Sequence, residues 1–129
     1  MVKGEIRGQD YKSRWDWLNF AAGLPAKPYE LRSKSASFQL ATGRFIFTGA
    51  VFNTVATTTV TVTLHDGMDT TGVIIGQVTV PGSSSIPLNT ANDGVLTELG
   101  VYVEISGGSV TGSVWLIPLW HYNITPPGT

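Results

Sequence analysis

The chain has 129 residues, of which 42% are hydrophobic and only 13% charged, with a formal net charge of −1. That is one domain's length with about half the usual charge of a soluble domain, which excludes a disordered polar tail and a dedicated nucleic-acid binder. There is no Cys, hence no disulfide framework, thiol nucleophile or Cys-based zinc site, and no apolar run reaches the ~18 residues of a membrane helix.

The charge is uneven. Residues 1–34 carry seven basic and four acidic side chains, a net +3, whereas residues 35–129 carry one basic and five acidic, a net −4. A basic arm, residues 1–37, is therefore expected to precede a nearly charge-free body. The charged start of the chain (Lys3, Glu5, Arg7) does not read as a secretory leader. Within the arm, Ser13-Arg14-Trp15-Asp16 reads as a capping box, predicting a short helix over about 14–22. Gly23 is a natural stop and Pro25 follows it. Pro25 and Pro28 then hold the chain extended through Leu31. Trp15, Trp17 and Phe20 fall within six residues, and each would bury about 1.5–3 kcal/mol of apolar surface on docking. They pack either on the chain's own body or on a neighbour. With Arg14 they form the candidate partner-binding set, because Trp and Arg dominate interface energies. The abrupt composition change near Ser35 suggests a body that folds without residues 1–34.

The body, residues 38–122, reads as strands. Phe38-Gln39-Leu40 begins one. Arg44 to Asn53 is a second, with Phe45, Phe47, Gly49 and Val51 on one face and Ile46, Thr48, Ala50 and Phe52 on the other. Val60, Val62 and Leu64 alternate with Thr59, Thr61 and Thr63, and His65-Asp66-Gly67 ends the run with a turn. Val73 to Val80 stops at Pro81-Gly82, and Ser85 to Leu88 is short. Asn92-Asp93-Gly94 is a further turn. Leu99, Val101, Val103 and Ile105 alternate up to Gly107-Gly108, after which Val110 to Leu119 is the last strand and residues 123–129 form a tail. Seven to eight short strands at about ten-residue spacing predict an all-β fold, a single antiparallel β-sandwich or jelly roll. The Thr-rich face between Thr54 and Thr63 is poorly protected against edge pairing, so either solvent or another chain covers it.

Little of the chain points to catalysis. His65 and His121 are the only histidines, and neighbouring strand residues such as His65 and Asp66 point to opposite faces. No Gly-x-Ser-x-Gly elbow or phosphate loop is present. Asp66 and Asp69 share a loop that lacks the third acidic ligand of a regular calcium loop, and Asp-Gly is a standard turn pair. The expectation is no enzyme, no cofactor and no metal. Trp115, Trp120 and Tyr122 are candidate glycan-stacking or interface aromatics.

Val60-Thr-Val-Thr-Leu-His-Asp-Gly-Met-Asp-Thr-Thr-Gly-Val-Ile-Ile-Gly-Gln-Val-Thr-Val-Pro-Gly82, followed by Ile86-Pro-Leu88, an Asn/Gly turn, Gly100 to Gly108 and Val110 to Leu116, resembles small β-sandwich proteins of tailed-phage particles. The likeness covers residues 40 to 117. It implies a virion protein on the capsid surface, a head-decoration or cement protein that bridges subunits of the major capsid protein, often as a trimer. A phage tail or fibre component, or a carbohydrate-binding (receptor-binding) module, is the alternative. The low charge and Thr-rich face also suggest covered surfaces, hence self-association as a trimer. Neither nucleic acid nor membrane is an expected partner.

Overall fold

In a computed structural model, residues 6–7, 21–54, 57–89, 94–122 and 124–125 are described. The strands are β1 (Ile6–Arg7), β2 (Lys27–Lys34), β3 (Phe38–Thr42), β4 (Phe45–Asn53), β5 (Val60–Asp66), β6 (Val73–Val80), β7 (Ser85–Asn89), β8 (Val95–Thr97), β9 (Gly100–Ser106), β10 (Val110–Pro118) and β11 (Ile124–Thr125), with a helical turn at Leu119–Tyr122. The fold is all-β, as expected.

Two antiparallel sheets carry the body. The first runs β2-β10-β4-β7, with β8 on the same edge of β4 as β7; the second runs β3-β9-β5-β6. β1 and β11 form a separate parallel pair that joins the two ends of the chain. Among the eight longer strands, the first pairs with the last, the second with the seventh, the third with the sixth and the fourth with the fifth. The main chain is thus a long double strand rolled up, and most pairings are remote in sequence.

The main core lies between the sheets. Leu31, Phe45, Phe47, Ala50, Phe52, Val110, Val114 and Leu116 face Ala41, Val60, Val62, Leu64, Val80, Val101, Val103 and Ile105. Alternation at period 2 places these side chains inward in β5 and β9, as the sequence predicts. In β4 it does not hold throughout. Trp115 is opposite Gly49 while Leu116 is opposite Phe47, so Thr48 is the extra residue of a β-bulge. The bulge moves the inward set from Phe45 and Phe47 to Ala50 and Phe52, splitting the two faces expected from strict alternation. The Thr48 hydroxyl donates to the Trp115 carbonyl (3.1 Å) at that kink.

A second, smaller core covers the outer face of the first sheet at one end. Ile46, Ile117, Leu119 and Ala21 are buried there, with Leu24, Ala26, Leu96 and Tyr122 packed around them. Ala21 is helical and a turn follows, closed by Leu24 N–H donating to the Ala21 carbonyl (3.1 Å). The segment between the expected helix and β2 therefore packs on the chain's own body. Arg14, Trp15, Trp17 and Phe20 lie outside the described residues.

β2 lies inside the stretch expected to be an arm, residues 1–37, yet it is a strand of the first sheet. It pairs with β10 from Lys27↔Leu116 to Lys34↔Val110 and puts Leu31 in the main core, fully buried. Composition misplaces this boundary because β2 is a sheet edge. Lys27, Glu30, Arg32 and Lys34 stay exposed, and charged residues on an edge strand deter further pairing without preventing the strand from forming.

Candidate functional site

The turns β3–β4, β5–β6 and β8–β9 and the Leu119–Tyr122 segment meet at one end of the two sheets, where β2 also begins. Side chains hold this end together. The Asp66 carboxylate accepts from the N–H groups of Glu98 (3.0 Å) and Leu99 (2.9 Å), fixing the turn before β9. Arg44 Nε meets Glu98 Oε1 at 3.1 Å. Gln39 Nε2 donates to the carbonyls of Ala41, Gly67 and Val101 (2.6, 3.1 and 3.3 Å). Those three acceptors fix the amide orientation and leave Gln39 Oε1 buried without a partner. Gly43 N–H donates to the Leu99 carbonyl (3.0 Å), and Leu119 N–H to the Arg44 carbonyl (3.2 Å). Each turn at this end is therefore tied to the next.

His65 lies within the same network and is only 3% exposed. Its Nδ1 is 2.9 Å from the Gly72 carbonyl and its Nε2 is 2.8 Å from Glu104 Oε1. A carbonyl and a carboxylate both accept, so the geometry calls for N–H on both ring nitrogens, an imidazolium. Burial opposes that charge. The bonds to Gly72 and Glu104 and the charges of Glu104 and Asp69 outweigh it, and the pKa is raised. With both nitrogens engaged, neither is left to take a proton from a substrate. Asp69 accepts from the Thr71 hydroxyl and backbone N–H, and these two bonds lower its pKa. Both loop carboxylates thus serve turns. Among the described residues, no group of three or more His, Cys, Asp or Glu stands ready to hold a metal.

Beside exposed Asp69, Glu98 and His121, this end also presents large apolar groups to solvent. Met68 is 55% exposed, Leu99 58% and Trp120 64%. Leu99 follows the turn held by Asp66, Met68 follows Gly67, and Trp120 lies beside Gly43, whose Cβ position is 3.9 Å from the indole Cδ1. Large apolar side chains held out at one end suit an interaction surface. Sequence reasoning named Trp120 but not Met68, a single apolar residue in a turn, and it set Leu99 in one alternating series with Val101, Val103 and Ile105, whereas Leu99 is exposed in the turn before β9. Of the sequence-named aromatics, Trp120, His121 and Tyr122 follow one another edge to face, with centroids 5.9 and 5.0 Å apart. Tyr122 is tied back by donating to the Pro25 carbonyl (2.9 Å). Trp115 belongs to another surface. It points outward from β10 between the inward Val114 and Leu116, opposite Gly49 and Pro28. No protein-family model, curated protein or solved structure matches the chain.

Proposed function

We propose that this chain is a non-enzymatic structural protein of a phage particle that decorates the outer surface of the capsid and bridges subunits of the major capsid protein. The apolar rim of Met68, Leu99 and Trp120 carries the reading. It gathers large exposed side chains at the end of the molecule where the chain enters at Ala21 and leaves at Tyr122. The same end therefore connects to the basic segment bearing Arg14, Trp15, Trp17 and Phe20, which we assign as the attachment arm. The strand orders support reading the sandwich as a jelly roll, an architecture recurrent in viral capsids and lectin domains. In this reading the arm's cations speed encounter with the lattice and the aromatic groups slow release.

Co-sedimentation with shells of the major capsid protein tests this. Leu99→Ser with Trp120→Ala, or Trp15→Ala with Trp17→Ala, is expected to weaken binding at least about tenfold, roughly 1.4 kcal/mol. Thr57→Lys at the opposite end should leave it unchanged. Equal binding by all of these variants would refute the assignment. A second reading, a tail-borne receptor-binding module, is favoured by Trp120, whose exposed indole could stack on a sugar ring. Binding to a glycan array that Trp120→Ala abolishes, without capsid binding, would select it.

A further inference from the structure

One side chain joins three segments. His65 of β5 meets the Gly72 carbonyl through Nδ1 (2.9 Å) and Glu104 Oε1 of β9 through Nε2 (2.8 Å). Turning the ring over would set its carbon atoms against both acceptors, so the partners select this orientation. Gly72 closes the turn between β5 and β6, and that turn carries exposed Met68. Its two ends are held differently. At the Gly67 end the carbonyl accepts from Gln39 Nε2 (3.1 Å), an amide that does not titrate. At the Gly72 end the carbonyl is held by an imidazole, which does. Bonds inside the turn keep its shape: Asp69 accepts from the Thr71 N–H (2.9 Å), and Gly72 N–H donates to the Asp69 carbonyl (3.3 Å).

We propose that the β5–β6 turn is a proton-operated switch, closed while His65 carries both ring protons and lifted at its Gly72 end once one is lost. A neutral imidazole has one N–H for two acceptors. Glu104 keeps it, because an N–H bond to a carboxylate is roughly twice as strong as one to a neutral carbonyl. The proton that leaves to solvent is therefore the one on Nδ1. Its bare lone pair then faces the Gly72 carbonyl oxygen, and two acceptors at hydrogen-bond distance repel. Glu104 stays in place on β9, which is paired on both sides. The turn yields instead, because Gly67 and Gly72 give its two ends backbone freedom. Among the described residues, the charged and titratable groups facing the ring are Glu104 and Tyr102 of β9 (Tyr102 with ring centroids 6.4 Å apart) and Asp69 of the turn. Neighbouring β6 has none, and Asp66, next along β5, is engaged by the N–H groups of Glu98 and Leu99. Burial opposes the charged ring, but the bonds to Gly72 and Glu104 and the charges of Glu104 and Asp69 outweigh it, which raises the His65 pKa. The switch therefore operates above the ordinary histidine value of about 6.5. The proposal does not rest on the capsid assignment, because the turn lifts in the free protein. It sets the pH range in which Met68 stands fixed at the rim.

NMR of the full chain from about pH 5.5 to 9 is the test, with circular dichroism confirming that each protein keeps its melting transition. In the wild type both His65 ring nitrogens are expected to be protonated at the acid end, and Nδ1 to lose its proton with a midpoint above about 6.5. The Gly72 carbonyl and Met68 methyl resonances should move with that same midpoint, and the Gly67 carbonyl much less. Glu104→Gln breaks the link. Its carboxamide can donate to a bare Nε2, so the neutral ring keeps Nδ1–H on Gly72. In that variant the Gly72 and Met68 resonances should hold still while the ring titrates at lower pH than in the wild type. A wild type whose neutral ring keeps its proton on Nδ1 overturns the proposal. So do Gly72 and Met68 resonances that ignore the ring's titration, or that move alike in wild type and Glu104→Gln.

Discussion

The two ends of the molecule are built by different means. At the end that holds Ala21 and Tyr122, side chains tie turn to turn: Asp66 to Glu98 and Leu99, Gln39 to Gly67, and His65 to Gly72 and Glu104. At the other end the turns 35–37, 54–59, 81–84 and 107–109 contain no Asp, Glu, Lys, Arg or His. There the backbone and small hydroxyls do the joining. Thr54 N–H donates to the Ser84 carbonyl (3.0 Å), and Ile105 N–H to the Ser37 hydroxyl (3.0 Å). None of the exposed large apolar side chains among the described residues falls in these turns. The difference teaches how an apolar surface is kept in shape. Polar side chains beneath the rim fix the turns that carry Met68 and Leu99, so less conformational entropy is lost when a partner docks.

The largest test of this contrast is removal of residues 1–34. It takes away β2 and Leu31 and opens the β10 edge. The cooperative thermal transition, followed by circular dichroism, is expected to disappear. A truncated protein that still melts cooperatively would show that the terminal end is an accessory to the core.

Next in size is Gly107→Ala at the polar end. Gly107 has φ of 106°, and a Cβ there would lie 2.4 Å from the Thr59 carbonyl oxygen. Strain and displaced backbone together should cost about 2–3 kcal/mol in denaturant unfolding. A cost below about 0.5 kcal/mol would mean that backbone contact does not hold that end.

His65→Phe probes the network at the terminal end. Losing two hydrogen bonds at a buried ring should cost about 1–3 kcal/mol. The pKa of His65 is raised in the folded protein. Its contribution is therefore complete below the ordinary histidine value of about 6.5 and fades as pH climbs through the raised folded value. Melting curves from pH 5.5 to 8.5 should show the gap between wild type and His65→Phe narrowing as pH rises. A constant gap would mean that the ring bonds in its neutral form. Asp66→Asn, which keeps an acceptor but removes its charge, should cost about 1 kcal/mol by the same measurement. Smallest of all, Trp120→Ala and Thr57→Lys should each move stability by less than about 0.5 kcal/mol. That would confine the consequence of Trp120 to binding.

Much of the sheet was legible before folding. β5 and β9 announce themselves through alternation bounded by Asp-Gly and Gly-Gly, because strand side chains alternate faces whatever the partner strand is, and β6 through a β-branched-rich run stopped by Pro-Gly. The site was less legible. Trp120 stood out as an aromatic residue, but exposed Met68 and Leu99 become a rim only when three turns meet. His65 reads as one residue of a turn signal until Gly72 and Glu104 close on it.

By itself, then, the sequence determined the all-β class, most strand positions and the turns, all of which depend on residues within a few positions of one another. Tertiary structure alone decided the rest. Charged Lys27 to Lys34 became a strand because β10 offered an edge to pair with. The inward faces of β4 changed at Thr48 because its register against β10 slips by one residue there. Trp115 and Trp120 parted to different surfaces because β10 ends at Pro118 and the chain turns. Each of these outcomes depends on a partner strand remote in sequence, or on the path the chain takes where a strand ends, and spacing along the chain carries no record of either.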